Sequence, residues 1–436
     1  MTDYLAGIRR EDKNRWERRA PLTPEHVEEL IKENDLSFKV QPSAIRAFSD
    51  KFYEAAGADL GGSLDDCKVV FAVKEIPIEM LREKKTYAFF SHTVKGQKHN
   101  MPLLRKLLDL GCTLIDYEKV VDDEGKRLIF FGRQAGQAGM VDTLHALGKR
   151  LSGMGIDTPF SKLNMTHEYH NYGRVREHVG AIGDEIEKNG LPKEITPFVC
   201  GFSGYGNVSQ GAQEVFDLLP FEEVTPAQLR KLVRKNDSQN KVYKVVFREK
   251  DLVKPVLKRD RFNLKEYYSN PERYKSCFSA YLPYLSMLMN CIYWSDRYPR
   301  LVTKEDAASM FSDGATPKLM AIGDVSCDIG GSIEFTVKST EPDNPCFVYN
   351  PRDDSVTDGV DGEGMLVMAV DNLPCELPRD ATRYFGEALL PYVPEIVHCD
   401  YSKPFKELKL SRTIKEAVIV HGGKLAPAYE YLEKYL

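Results

Sequence analysis

Apolar and polar positions along the chain alternate between two periods. LAGI (5–8), CKVVFAV (67–73), TYAFF (86–90) and TLIDYE (113–118) are short, nearly continuous apolar runs. That is the pattern of strands covered on both faces. Between them the period lengthens. Thr23 stands before Pro24, a cap followed by a first-turn proline, and Val27, Leu30 and Ile31 then share a helical face. MPLLRKLLDLG (101–111) repeats leucines at helical spacing and stops at Gly111. The β-α-β-α order predicts a parallel sheet.

Further along, DDEG (122–125) reads as a turn and RLIFFG (127–132) as an extended segment. AGMVDTLHALGKRL (138–151) reads as a long helix carrying the domain junction. The polar stretch from Gly153 to about Pro192 shows no assigned element. A second α/β unit opens at 196–220, where a strand, a glycine turn and a helix with Val208, Ala212, Val215, Phe216 and Leu219 on one side follow one another. Residues 225–315 are charged, Tyr-rich and irregular, with a helix expected around SAYLPYLSMLMNCIYW (279–294). Strands return at KLMAIGDVSCDIGG and GMLVMAVDNLP. A second long helix (379–397), the strand AVIV and a terminal helix (426–436) complete the chain. No fixed-period repeat is present.

Composition narrows the class. Hydrophobic residues are 42% and charged residues 29% of the chain, a globular mix that excludes disordered and low-complexity proteins. The net charge of −5 counts against a nucleic-acid partner. No apolar stretch approaches the roughly 18 residues of a membrane span, and the charged start lacks the apolar region of a secretory signal. Nine cysteines without a C-x-x-C predict free thiols in a reducing compartment, hence a cytoplasmic location. His167-x-x-His170 lacks a third ligand, so no metal is expected.

The strongest local signal is Ser203-Gly204-Tyr205-Gly206-Asn207-Val208-Ser209 between a strand and a helix. The first glycine permits a tight turn; the second lets backbone N–H groups approach a pyrophosphate at a helix N-terminus. Ser209 replaces the third glycine, and a purely structural turn is the competing reading. Lys74 ends one predicted strand and His92 follows the next. Ligands of parallel sheets gather beyond the carboxyl ends of strands, so this pair could divide acid and base work, tuned by Glu75 and Glu118. Ordinary loop residues are the alternative. Arg19 at a helix start could clamp a carboxylate, or lie on a solvated face with Arg15 and Arg18. Asp324 and Asp328 flank a strand end before Gly330 and Gly331. They read as acidic groups beside a cofactor or as a plain turn. Glu222 and Glu223 stand about 20 residues past the glycines, where an acid binds the ribose of NAD. Arg230, Lys231, Arg234 and Lys235 follow and could instead reach a 2′-phosphate, or form a solvated helix face.

RRAPLTPEHV (18–27), FAVKE (71–75), FFSH (89–92), DVSCDIGG (324–331) and VDNLP with ALLPYV resemble the alanine dehydrogenase, pyridine-nucleotide transhydrogenase and saccharopine dehydrogenase superfamily. AFFSHTVKGQKHNM, LIDYEKVVDDEGKRLIFFGRQAGQAGM, GYGNVSQGAQEVFDLLP, NCIYW, DIGGSIEF and DNLPCELPRDAT narrow the resemblance. It is to the lysine–2-oxoglutarate reductases that form one half of bifunctional aminoadipic semialdehyde synthases. The resemblance implies an α/β fold of two Rossmann-like domains with parallel sheets. The first is discontinuous, 1–140 plus 386–436, and binds substrate. The second, 141–385, binds the nucleotide and carries the 225–315 segment as an insertion. The site would lie in the interdomain cleft.

The implied reaction is NADPH-dependent reductive condensation of L-lysine with 2-oxoglutarate to saccharopine, with NADH as the alternative cofactor. The resemblance places the acid–base pair on Lys74 and His92, the carboxylate clamp on Arg19, and further substrate contacts on Lys95 and Gln97. It places cofactor contacts on the glycine turn, Asp328 and Asn372. Tyr205 inside that turn and Arg133 after Gly132 depart from the family pattern. Another alanine-type amino-acid dehydrogenase and a non-catalytic dinucleotide-binding protein are the competing readings. The Tyr-rich insertion argues against the former, and the presence of both Lys74 and His92 against the latter. The exact amine and any homo-oligomer stay open.

Overall fold

The computed structural model describes residues 4–235, 238–312 and 317–436. The chain divides into two compact units, Met1–Phe131 with Pro378–Leu436, and Gly132–Leu377. The expected junctions at 140 and 385 fall inside helices, and the division lies at the first residues of those helices.

Along the first unit run β1 (Leu5–Ile8), α1 (Pro24–Asn34), β2 (Ser37–Val40), α2 (Asp50–Ala55), β3 (Asp59–Leu60), β4 (Val69–Phe71), β5 (Thr86–Phe89), α3 (Met101–Asp109) and β6 (Thr113–Asp116). The second unit follows with α4 (Gly132–Gly153), α5 (Tyr172–Asn189), β7 (Phe198–Ser203), α6 (Asn207–Phe216), β8 (Phe221–Glu223) and α7 (Leu229–Lys235). It continues with β9 (Val242–Phe247), α8 (Glu249–Leu252), β10 (Val253–Pro255), α9 (Leu264–Ser269), β11 (Tyr274–Ser276), β12 (Met287–Asn290), α10 (Lys304–Met310), β13 (Ala321–Asp324), β14 (Cys346–Asn350), β15 (Ser355–Asp358) and β16 (Met365–Met368). The chain returns to the first unit with α11 (Pro378–Leu389), α12 (Val393–His398), α13 (Arg412–Glu416), β17 (Val418–His421) and β18 (Lys424–Leu425).

Among the described residues, each unit holds one eight-stranded sheet. In the first the order is β18-β17-β6-β5-β4-β1-β2-β3, parallel except for β17 and β18. In the second it is β15-β14-β16-β13-β12-β7-β9-β8, parallel except for β14 and β15. The expected parallel sheets are therefore mixed, each with an antiparallel pair at one edge, in a Rossmann-like arrangement. Thr23 caps α1 as its sequence predicts: its Oγ1 accepts from His26 N at 3.2 Å.

The second core explains the apolar runs. Phe198, Cys200 and Phe202 of β7 enter a cluster with α4, α5 and α6, while Val199 enters the cluster on the opposite face. A strand alternates faces, so burial on both sides demands an unbroken apolar run. Burying each large side chain contributes roughly 1.5–3 kcal/mol. α4 and α6 meet backbone to backbone. A Cβ on Gly136 would stand 1.9 Å from Val208 O, and one on Gly211 1.9 Å from Arg133 O. Arg133 itself turns its guanidinium to Glu214.

Four sequence expectations are corrected. The polar stretch after Gly153 contains α5, whose Val175, Val179, Ile182 and Ile186 are buried at helical spacing behind the Asn171 cap. The helix expected at 279–294 is two short 3₁₀ turns, Phe278–Ala280 and Leu282–Tyr284, and then β12. Pro283 denies a continuing helix its N–H, and Met287, Leu288 and Met289 are buried on both faces of the sheet. The 225–315 window is thus no mere insertion, since it supplies β9 and β12 on either side of β7. The terminal helix is 3₁₀ over Pro427–Tyr435. Among the described residues no helix is long and apolar enough to cross a membrane.

Candidate active site

β4, β5 and β6 are adjacent and parallel, with Phe71 beside Ala88 and Phe89 beside Asp116. The segments leaving their carboxyl ends carry Lys74 and Glu75, then His92, then Glu118. Parallel pairing therefore gathers these residues at one edge of the sheet, as expected. His92 Nε2 lies 3.6 Å from Glu75 Oε1, and His92 Nδ1 lies 3.8 Å from Glu118 Oε2. His92 adopts φ +53°, a left-handed conformation costly for a side-chain-bearing residue. Asn100 Nδ2 holds that turn by donating to His92 O at 2.9 Å. His92 and the Arg127 guanidinium beside it hold the buried Glu118 carboxylate down at about 2.

Lys74 is half-buried, and burial, with the charges of Arg19 and Lys13, lowers its ammonium pKa. Its backbone is anchored from below. The buried Glu11 carboxylate accepts from Val73 N at 2.7 Å and Lys74 N at 3.0 Å. Burial, helped by the charge of Glu17, pushes Glu11 up to about 7. Arg19 is not on a solvated face; it is 2% exposed. Its fork closes on Glu17, Nε to Oε1 at 2.7 Å and Nη2 to Oε2 at 2.6 Å, over the ring of Phe131. Lys95 and Gln97 are exposed in the turn after His92.

In the second unit Gly204 leaves β7 at φ +85°, and its N–H donates to Phe247 O at 3.0 Å. A Cβ on Gly206 would meet nothing within 4 Å, and Asn207 and Val208 begin α6 there. This cradle suits a pyrophosphate on backbone N–H groups. Beside it lies a cavity of about 420 Å³ lined by Gly204, Tyr205, Tyr267, Tyr268, Tyr293 and Trp294 among others. The Tyr-rich segment thus lines the space next to the glycine turn. The packing task usually given to the third glycine falls to Gly211, since Ser209 is buried and accepts from Gln213 Nε2. Asp328 and Asn372 follow β13 and β16 at the same carboxyl edge.

Three residues expected beside the cofactor, Ser203, Asp324 and Glu222, have partners within the protein instead. Ser203 is fully buried, and its hydroxyl donates to Asn290 Oδ1 at 3.0 Å. Asn290 Nδ2 in turn donates to Asp324 Oδ1 at 2.8 Å, and Thr336 Oγ1 to Asp324 Oδ2 at 2.6 Å. Ser203, Asn290 and Asp324 form one polar row across β7, β12 and β13. Asp324 thus ties strands together rather than facing a cofactor. Glu222 lies in edge strand β8, level with Tyr243 and Val199, and pairs with Lys241 at 2.6 Å. Four residues of strand, roughly 13 Å, separate that level from Ser203. Val233 of α7 shares a cavity with Thr196 and Pro197 at the entry to β7, so α7 and its basic residues Arg230, Lys231 and Arg234 belong to the far end of the sheet. The Lys235 side chain lies outside the described residues. His167 approaches the buried Glu376 at 3.9 Å, while His170 is exposed.

Two family models match the chain: alanine dehydrogenase/PNT, N-terminal domain, over residues 7–138, and alanine dehydrogenase/PNT, C-terminal domain, over residues 293–428. Over 99% of its length the chain is 42% identical to the mitochondrial alpha-aminoadipic semialdehyde synthase of Bos taurus and 40% identical to an alpha-aminoadipic semialdehyde synthase of Arabidopsis thaliana. It covers 48% and 41% of them, about half their length. A saccharopine dehydrogenase (NAD(+), L-lysine-forming) of Candida albicans is 27% identical over 88% of this chain and 90% of its own. Among solved structures, an L-alanine dehydrogenase aligns with TM-score 0.63 at 19% identity over 99% of both chains. A transhydrogenase from Sinorhizobium meliloti aligns with TM-score 0.57 at 14% identity, over 97% of this chain and all of its own. These two share the fold.

Proposed function

The chain belongs to the alanine dehydrogenase/PNT family, and from that premise we propose that it is an oxidoreductase that condenses L-lysine with 2-oxoglutarate and reduces the imine to saccharopine with NADPH. One observation carries the choice of substrates. The fungal relative matched along nearly its whole length is named for forming L-lysine from saccharopine. The half of the aminoadipic semialdehyde synthases that this chain matches is, on this reading, the half with the same chemistry.

The residues at the first sheet's edge support each demand of that reaction. Arg19 offers a planar fork to a keto-acid carboxylate, which then takes the place of Glu17. Lys74, with its lowered pKa, accepts a proton from the ε-ammonium of the substrate, freeing the amine to attack the keto carbon. His92, between Glu75 and Glu118, delivers a proton to the hydroxyl of the resulting carbinolamine, which departs as water and leaves the imine. Lys95 and Gln97 border the same turn. The cradle at Gly204 and Gly206, with Asp328 and Asn372 at the same edge, suits the dinucleotide, which when bound supplies the hydride. Nine free cysteines favour a reducing compartment, and we place the chain in the cytoplasm.

The test is oxidation of NADPH by the purified chain with lysine and 2-oxoglutarate, each omitted in turn. Turnover that needs both supports the reading. Equal turnover with pyruvate and ammonia overturns it in favour of an alanine-type dehydrogenase.

A further inference from the structure

Counting residues past the glycines points to Glu222, but the sheet order points elsewhere. The strand beside β7 is β9, not β8, and the two end together, Ser203 paired with Phe247. The residue leaving β9 next to the glycine turn is Arg248, and it is exposed. Its guanidinium lies 4.8 Å from the ring centroid of Tyr205, inside the Gly204-Tyr205-Gly206 turn. Among the described residues Arg248 forms no ion pair. The neighbouring carboxylate is engaged. Tyr268 OH donates to Glu249 Oε1 at 2.6 Å, and Tyr205 OH lies 3.3 Å from both Glu249 oxygens. Glu249, Tyr205 and Tyr268 all line the aromatic cavity beside the turn.

In a doubly wound sheet, the adenosine ribose meets the end of the strand beside the glycine-turn strand. An acid there takes the 2′-hydroxyl of NAD, and an arginine accommodates the 2′-phosphate of NADP. This chain presents both residue types at that place, with the acid held by two phenols and the arginine spread on a ring. Resting on the nucleotide reading above, we propose that Arg248 reads the 2′-phosphate of NADPH, while Tyr205 and Tyr268 hold Glu249 away from the ribose. Stacking on Tyr205 preorients the guanidinium plane, and a guanidinium pairs with phosphate through two parallel hydrogen bonds.

Dissociation constants of the full chain for NADPH, NADH and adenosine 2′,5′-bisphosphate test this without turnover. Arg248→Leu should weaken NADPH and the bisphosphate by roughly 10- to 100-fold and leave NADH within about twofold. Arg248→Lys should fall between, and its thermal unfolding should match wild type. Tyr268→Phe should release Glu249 and improve NADH relative to NADPH. Glu222→Gln should change neither. Equal weakening of NADPH and NADH by Arg248→Leu, or no change in either, overturns the assignment. A wild-type preference for NADH overturns it together with the NADPH reading. Selective NADPH binding without lysine-dependent turnover leaves Arg248 standing and sinks only the condensation reaction.

Discussion

Arg19 and Glu17 form a buried, two-point ion pair, with Nε–Oε1 at 2.7 Å and Nη2–Oε2 at 2.6 Å. A substrate carboxylate bound by Arg19 must compete with Glu17 for the same fork. Arg19→Lys keeps the charge and loses the fork. The expected outcome is a keto-acid KM raised roughly 10-fold, with the nucleotide KM unchanged. Steady-state kinetics with 2-oxoglutarate as the varied substrate checks this. An unchanged keto-acid KM would confine the pair to a structural role.

Lys74 and His92 stand at strand ends rather than in the core. Lys74→Met and His92→Gln should each lower kcat by roughly 10²–10⁴, the usual worth of a placed proton carrier. Thermal unfolding should stay close to wild type. Near-full rates in both variants would move the chemistry elsewhere.

Glu11 links pH to stability. Its folded pKa of about 7 lies above the ordinary 4.5, so between those values the folded chain keeps a proton that the unfolded chain has released. That contribution is full below about 4.5 and is lost as pH rises through 7. Glu11→Gln removes the titration and keeps an oxygen for the Val73 or Lys74 N–H. The variant's stability relative to wild type should therefore rise between pH 5 and 8, by up to ~3 kcal/mol. Denaturant melts at several pH values measure it, and a pH-independent difference would contradict it.

The contact between α4 and α6 leaves no room for a methyl group. Gly136→Ala and Gly211→Ala each place a carbon on a neighbouring carbonyl. Each should destabilise the chain by roughly 1–3 kcal/mol or more, read as a lowered Tm. A substitution tolerated without loss would mean that the helices move apart at little cost.

Local chemistry determined much of this protein from the sequence alone. Thr23 and Pro24 start a helix because capping acts within one turn. Strands buried on both faces betray themselves as apolar runs, and Lys74, His92 and Glu118 were legible because parallel strands all end at the same edge. Where the signal was local but dilute, it was missed. The four large apolar residues buried on α5 are spread over three turns of polar sequence, although Asn171 and their spacing mark the helix. β12 reads as helix because its three apolar residues in a row, Met287 to Met289, carry no period.

The rest only the tertiary structure decided. Whether an acid twenty residues past a glycine turn faces a cofactor depends on which strand pairs beside it. That pairing is made between segments distant in sequence, under the competition of all strands for one sheet. β9 took the place beside β7 and carried Arg248 to the turn, while β8 went to the edge with Glu222. Likewise Ser203 reads as a cofactor contact at the glycine turn until Asn290 and Asp324, each on another strand, draw it into a buried row. Arg19 reads as a clamp or as part of a solvated face until Glu17 and Phe131 close around it. In each case a side chain's partners come from other segments of the chain, and packing alone brings those segments together.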